Sequence, residues 1–174
     1  ATPGIFRVSA AGATRVLTAT IQDAAGNTVT SDNTTVIAFV QSAGAGTVSG
    51  TGNATASAGV ATKTITGALA GPVTLEATSP GLTTGTLAFA VAHGAAADIV
   101  LTGSTADLAS GATRVLTATI EDAAGNTVTS DNTTVISFAK ASGAGTVSGA
   151  GNATASSGVA TKTITGVLAG TVTM

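Results

Sequence analysis

Oxygen-bearing side chains recur along this chain at a fixed spacing, and they are the residues best suited to bind a ligand. Two aspartates and two asparagines fall in one short segment, and the same four types return 99 positions later. These positions are Asp23, Asn27, Asp32 and Asn33, then Asp122, Asn126, Asp131 and Asn132. Carboxylate and amide oxygens on loops are ligands that Ca²⁺ prefers. Calcium binding is therefore one hypothesis for this segment.

Turn capping is the other hypothesis for the same residues. Calcium takes about six to eight oxygens and usually several carboxylates, whereas each segment offers two spaced ones. The calcium candidates are Asp23, Asp32, Asp122 and Asp131. Aspartate and asparagine also accept hydrogen bonds from backbone N–H groups close by in sequence, which closes an Asx turn. We favour turn caps and predict no bound metal or cofactor.

Catalytic chemistry has few possible carriers. His93 is the only histidine and lies between the repeated segments, so a Ser-His-Asp triad would have to be built around a linker residue. With one histidine and no cysteine, zinc and copper sites lack their usual ligands. We predict that the chain is not an enzyme.

Four Asn-x-Thr sequons occupy equivalent loop positions in the two halves of the chain. They are Asn33, Asn53, Asn132 and Asn152. In a threonine-rich chain such triplets arise by chance, which is one interpretation. In a source that glycosylates exported proteins, glycans at these positions would cover a surface with little charge.

Composition excludes several partners. Charged residues make up 8% of the chain, against roughly 25% in an ordinary soluble domain. A net charge of −2 and an aromatic content of 2% provide neither a basic surface for phosphates nor a stacking platform for bases, so we expect no nucleic acid partner. We find no apolar run long enough for a transmembrane helix and no signal-peptide pattern, and expect a mature or excised segment.

The elements that position these residues come from an internal repeat. Residues 12–75 recur as residues 111–174, with 53 positions identical and 11 different. A period of this length matches a small domain and exceeds one solenoid coil or propeller blade. We predict two tandem domains, residues 1–93 and residues 94–174, joined by a short linker of small residues that makes the array semi-rigid.

Each domain is predicted to be an all-β immunoglobulin-like sandwich, because short runs rich in Val, Ile and Thr alternate with Gly, Asn, Asp and Ser turns. The predicted strands are 5–9, 15–21, 28–30, 35–40, 46–49, 60–66, 73–78 and 86–91. Alternation assigns to the core Leu17, Ala19, Ile21, Ile37, Phe39, Val48, Ile65, Val73, Leu75, Leu87, Phe89 and Val91. Lys63 is expected at a sheet edge, and segments 44–46 and 50–53 are expected to be turns.

The segments Leu17–Asn27, Val36–Phe39, Gly59–Thr62 and Ala70–Thr78 together resemble the group 1 bacterial immunoglobulin-like (Big) domain, the repeat type of invasin and intimin. The resemblance covers essentially all of the first copy and the matching part of the second. It implies a rod-forming spacer on a bacterial surface protein, with recognition confined to a distal tip domain.

The second copy stops at residue 174, which corresponds to Leu75, so it has no equivalents of Glu76–Val91. One interpretation is a longer protein cut short, and the other is strand addition by another chain, which would build a filament. We predict a secreted or cell-surface structural repeat of an adhesin stalk or filament, with other copies of the repeat as partners. The alternatives are an adhesive module that binds a host receptor or glycan, and an accessory domain of a secreted hydrolase.

Overall fold

The computed structural model describes residues 7–8 as backbone and residues 11–174 in full. All regular secondary structure in these residues is β-strand, as the alternating pattern predicts. The chain divides into two compact units, Ala1–Gly94 (unit 1) and Ala95–Met174 (unit 2).

In its described residues, unit 1 has eight strands in two sheets. The strands are β1 (Arg7–Val8), β2 (Thr14–Thr20), β3 (Val36–Ala43), β4 (Thr47–Ser49), β5 (Gly52–Thr55), β6 (Val60–Leu69), β7 (Gly71–Thr78) and β8 (Gly85–Val91). One sheet has the order β2-β6-β4 and the other β1-β8-β7-β3-β5. All the pairings are antiparallel except that of β1 with β8.

The core of unit 1 lies between these sheets. Its buried residues are Leu17, Ile21, Ile37, Phe39, Ala56, Ala61, Ile65, Val73, Leu75, Phe89 and Val91. Ala19 and Val48 are partly buried and pack against them. At one end, the guanidinium carbon of Arg15 lies 5.0 Å from the centroid of the Phe89 ring, within range of a cation–π contact. The predicted core is thus confirmed at every position except Leu87.

Unit 2 repeats part of this plan. Its strands are β9 (Ala96–Thr102), β10 (Thr113–Asp122), β11 (Val135–Phe138), β12 (Thr146–Ser148), β13 (Gly151–Thr154) and β14 (Val159–Leu168). One sheet has the order β12-β14-β10-β9, and β11 pairs with β13 in the other. The core consists of Leu116, Ala118, Ile120, Val128, Ile136, Phe138, Ala155, Ala160 and Ile164.

Strand order identifies the sandwich as immunoglobulin-like. In that fold one sheet has the order A-B-E-D and the other contains C, F and G. The order β9-β10-β14-β12 of unit 2 matches A-B-E-D, and the order β3-β7-β8 within unit 1 matches C-F-G. The β2-β6-β4 sheet of unit 1 matches B-E-D, and no strand in the described residues lies beyond β2.

Several predictions about unit 1 require correction. Residues 28–30 form no strand, because Thr28 makes only an isolated bridge to Gln22 inside a tight turn. The predicted turn at 50–53 ends earlier, since Gly52 and Asn53 begin β5 and pair with β3. The predicted strand 5–9 lies largely outside the described residues, within which only Arg7–Val8 pairs with β8.

Leu87 differs from expectation, whereas Lys63 does not. Lys63 pairs with Leu17 of β2, and β4 pairs with β6 only between Thr66 and Leu69, so among the described residues no strand pairs with Lys63 on its other side. Leu87 continues the inward face of β8 but remains 43% exposed. Its position beside an open groove accounts for this exposure.

Candidate functional site

The first aspartate of the repeated oxygen set closes the turn after β2. Asp23 Oδ1 accepts hydrogen bonds from the backbone N–H groups of Ala25 and Asn27, both at 2.9 Å. Asn27 Nδ2 donates to the same carboxylate, at 3.1 Å from Oδ2. The Asn27 side-chain bond, followed by the backbone bond from Asn27, lowers the pKa of Asp23 from its usual 3.8. The carboxylate therefore acts as an Asx cap.

The second aspartate closes the next turn in the same way. Asp32 Oδ1 accepts from the N–H groups of Thr34 and Thr35, and Oδ2 accepts from Thr35 Oγ1 at 2.6 Å. These bonds lower the pKa of Asp32, with the Thr35 hydroxyl as the largest cause. Asp131 repeats the arrangement, and its pKa is lowered chiefly by the hydroxyl of Thr134.

The corresponding first turn of unit 2 has the same hydrogen bonds in a different environment. Asp122 Oδ1 accepts from the N–H groups of Ala124 and Asn126. Asp122 and Asn126 are each only 3% exposed, whereas Asp23 and Asn27 are exposed. Within unit 2, β9 extends along β10 as far as this turn, where Ala96 pairs with Asp122. The sequence of the turn is the same in both copies and gives no sign of this difference.

These contacts bear on the calcium hypothesis. Asp23 and Asp32 each use both carboxylate oxygens for hydrogen bonds within their own turn. No group of three or more His, Cys, Asp or Glu side chains that could hold a metal ion occurs among the described residues. The geometry describes turn caps at the four aspartates.

Asn33 and Asn132 each link two turns that are distant in sequence. Asn33 Oδ1 accepts from the N–H of Ala58 at 2.8 Å, and its Nδ2 donates to Ser31 O at 3.2 Å. Ala58 has a φ of 48°, in the left-handed region that side chains other than glycine rarely adopt. Asn132 makes the same bond to Ser157, whose φ is 49°. At these two sequons the side-chain amide of the asparagine therefore links two turns of the folded domain.

Asn53 and Asn152 lie in a different setting. Asn53 is exposed on β5, an edge strand of its sheet, and Asn152 is exposed on the equivalent strand β13. Their backbone carbonyls accept hydrogen bonds from Lys63 Nζ and Lys162 Nζ, at 3.3 and 3.1 Å. These two sequons are on strands, although the sequence predicted loops.

His93, the one possible centre of a triad, is half-buried just after β8. Its Nδ1 lies 2.8 Å from the carbonyl oxygen of Gly94. The ring is therefore held by the backbone of the next residue.

Two open grooves occur among the described residues. In unit 1 a groove of about 680 Å³ runs between β2 and the facing ends of β7 and β8, and its apolar lining includes Ile21, Leu75 and Leu87. In unit 2 a groove of about 970 Å³ is lined by the segment 103–110 and by residues near Met174. Among the described residues no helix has the length and apolar character needed to cross a membrane.

The chain is similar in structure to known proteins, but it matches no sequence family. No family model matches the chain, and no curated protein matches it. Among solved structures, it is similar to FdeC, an Escherichia coli adhesin, at 23% identity and a TM-score of 0.49, over 94% of this chain and 55% of that one. The chain thus spans about half the length of that adhesin structure.

Two further structures show similarity of the same kind. The D0-D1 domain of intimin matches at 19% identity and a TM-score of 0.42, over 92% of this chain and 81% of that one. Domains 5-6 of the S-layer protein SbsC match at 20% identity and a TM-score of 0.38, over 94% and 81%. Intimin is of the type that the sequence resemblance names. The strand order by itself makes the chain an all-β protein of immunoglobulin-like units.

Proposed function

We propose that this chain is a non-enzymatic structural repeat of an extracellular fibre associated with the cell surface. The fibre is an adhesin stalk or a filament that projects or links surfaces. The observation that carries the proposal is the near-identity of two copies that each form a hydrophobic core and the same set of capped turns. The repeated element is then a domain, and each further copy adds length and valency.

The positions at which the two copies differ support a mechanical role for the repeated domain. Of the 11 positions that differ between the copies, only one is buried in unit 1, namely Leu75, which is Met174 in the second copy. The side chains that cap turns and hold the left-handed residues are retained, as with Asn33 and Asn132. Five differences fall within 38–43, on β3, and none introduces a histidine, a cysteine or an aromatic ring.

The alternative of a binding module through loops 44–46 and 50–53 has less support. A Cβ on Gly44 would lie 2.0 Å from the carbonyl oxygen of Pro72, and one on Gly46 would lie 2.4 Å from that of Gly71. This loop therefore packs backbone to backbone on β7, and has no room for anchoring side chains at its glycines. Loops that recognise a partner usually present Trp, Tyr or Arg, which both segments lack.

Immunogold labelling of the source cells tests this proposal. Antibodies raised against the folded 174-residue chain should label material outside the cell, along extended structures or on the envelope. Labelling confined to the cell interior would contradict the proposal. Labelling of compact, soluble particles bound to a glycan would favour the adhesive alternative.

A further inference from the structure

One lysine of each copy occupies a position that faces the core. Along β6, alternation places Ala61, Lys63 and Ile65 on the inward face, and the two apolar residues are only 1% and 2% exposed. Lys63 between them is half-buried. A charged amine on an apolar face costs free energy unless its head reaches water or a polar partner. Lys162 has the same position on β14, so both copies accept this cost.

The ammonium group of this lysine reaches the facing sheet. Lys63 Nζ lies 3.3 Å from the backbone carbonyl oxygen of Asn53 on β5, and Lys162 Nζ lies 3.1 Å from that of Asn152 on β13. In each unit these two strands belong to different sheets. The ammonium also lies close to Gly52, where a Cβ would be 3.8 Å from Nζ. The side chain therefore bridges the two sheets along one side of the sandwich.

This bridge lies where neither sheet of unit 1 has a further strand among the described residues. β4 pairs with β6 only between Thr66 and Leu69, so the part of β6 that carries Lys63 pairs with β2 alone. β5 pairs only with β3 and is the last strand of its sheet, whereas residues 7–8 pair with β8 at the other end of that sheet. An unpaired strand of this kind is a template for pairing with another chain.

The carbonyl that the lysine binds is one that an added strand would need. The N–H of Ala56 donates to Thr35 O, so the backbone groups of Ala56 point towards β3. Backbone groups alternate in direction along a strand, so those of Thr55 and Asn53 point away from β3. Asn53 O is therefore an acceptor on the open side of β5, and Lys63 already occupies it.

An open edge carries a particular risk in a chain of near-identical domains. The two copies share 53 of 64 aligned positions, and β5 and β13 have the same sequence, Gly-Asn-Ala-Thr. Strands of such neighbours can pair with each other during folding or after it. A charge that an added strand would have to displace and enclose raises the free energy of that pairing.

We propose that Lys63 and Lys162 set the specificity of strand pairing, by holding the outward carbonyls of β5 and β13 and so excluding the same edge of another copy. An added strand would have to displace the ammonium from Asn53 O or Asn152 O. Methionine at either lysine position would fit the apolar face but would leave that carbonyl free. The inference goes beyond the proposed function, because it concerns how identical edges stay apart, in a fibre and in separate chains alike.

Sedimentation velocity on the intact 174-residue chain tests the two lysines. The variant with Lys63→Met and Lys162→Met should self-associate at about tenfold lower protein concentration than the unaltered chain, which is the weight of about one charge-assisted hydrogen bond. Its net charge moves from −2 to −4, so general repulsion would oppose this result. Thermal unfolding checks that the variant is folded. A folded variant that associates no more than the unaltered chain would overturn the proposal.

Two control variants separate the site from a general loss of charge. Lys140→Met removes an exposed lysine outside the strands and should leave association unchanged. Lys63→Arg together with Lys162→Arg keeps a charged donor at both positions and should also leave association unchanged. If Lys140→Met promotes association as strongly as the methionine pair, the two inward lysines have no special role and the proposal is wrong.

Amide hydrogen exchange locates the pairing and gives a result on the unaltered chain alone. The N–H groups of Asn53 and Thr55, which point away from β3, should exchange there at a rate independent of protein concentration. In the methionine variant their exchange should slow as the concentration rises. Slowing of these amides in the unaltered chain would show that the edge pairs despite the lysine, and would overturn the proposal. Slowing only at other strands of the variant would contradict it as well.

Discussion

Asn33 and Ala58 are joined by a hydrogen bond of 2.8 Å from the Ala58 N–H to the Asn33 side-chain carbonyl, across 25 positions of sequence. The same bond joins Asn132 to Ser157 in unit 2. In both copies the bond donor lies in a left-handed conformation next to a glycine. The asparagine therefore fixes a strained turn against a neighbouring one, which the sequon pattern alone does not reveal.

Replacing Asn33 by Ala should destabilise unit 1 by about 1 kcal/mol, because the N–H of Ala58 loses its partner. Asn53→Ala removes an exposed amide for which no hydrogen bond is seen, and should change stability by less than about 0.5 kcal/mol. Urea unfolding of the full chain measures both. Equal effects of the two substitutions would show that the Asn33 contact contributes nothing.

The same pair of positions bears on glycosylation. A glycan on Asn33 would compete with the bond from its Nδ2 to Ser31 O, whereas Asn53 is exposed without such a contact. If the source glycosylates this protein, mass spectrometry of its peptides should find higher occupancy at Asn53 and Asn152 than at Asn33 and Asn132. Higher occupancy at Asn33 would contradict this order.

Acid should weaken the fold through the capped turns. The folded-state pKa values of Asp23, Asp32 and Asp131 lie below the ordinary 3.8, because hydrogen bonds favour the ionised carboxylates. Their contribution to stability is fully present above that value and is lost as the pH falls through the lowered pKa values. Thermal unfolding between pH 6 and pH 2 measures the loss. A variant with asparagine at all three positions should lose less stability on acidification than the unaltered chain. If its melting temperature falls just as steeply with pH, the aspartate caps are not the cause of the loss.

Gly59 should tolerate a side chain less well than Gly81, although both have a positive φ, of 77° and 79°. A Cβ on Gly59 would lie 2.5 Å from the carbonyl oxygen of Val29, whereas one on Gly81 meets nothing within 4 Å. Gly81→Ala should cost about 1 kcal/mol for the left-handed backbone alone. Gly59→Ala should cost clearly more, since backbone must move. Equal costs in urea unfolding would contradict the close packing at Gly59.

Ile65 should be among the most costly core positions to truncate. It is buried between the two sheets of unit 1, and Ile164 is its equivalent in unit 2. Ile65→Ala should destabilise its unit by about 2 to 5 kcal/mol. Thr64→Ala, on the exposed face of the same strand, should stay within about 0.5 kcal/mol. Calorimetry of the full chain checks both, and Ile164→Ala should move the transition of unit 2 alone.

Much of this fold follows from the sequence, because alternation along Val- and Ile-rich strands sets which face is buried. The pattern identifies Leu17 and Phe39 as core residues, and both are buried. It fails at Leu87, whose face is inward but lies beside the open groove. It misses β5, because the composition of Gly52–Thr55 is that of a turn and only pairing with β3 makes it a strand.

The candidate site was less accessible to sequence reasoning. The capped turns follow from Asp-Ala-Ala-Gly-Asn, because the side chain bonds to backbone two to four residues away. The Asn33 bond to Ala58 spans 25 positions and depends on the packing of two loops.

Electron microscopy of the native protein purified from its source tests the central claim most directly. If the chain is a structural repeat, the images should show extended rods or regular filaments with a repeat set by one immunoglobulin-like unit. Compact monomers that bind a glycan tightly would contradict the fibre and favour an adhesive module.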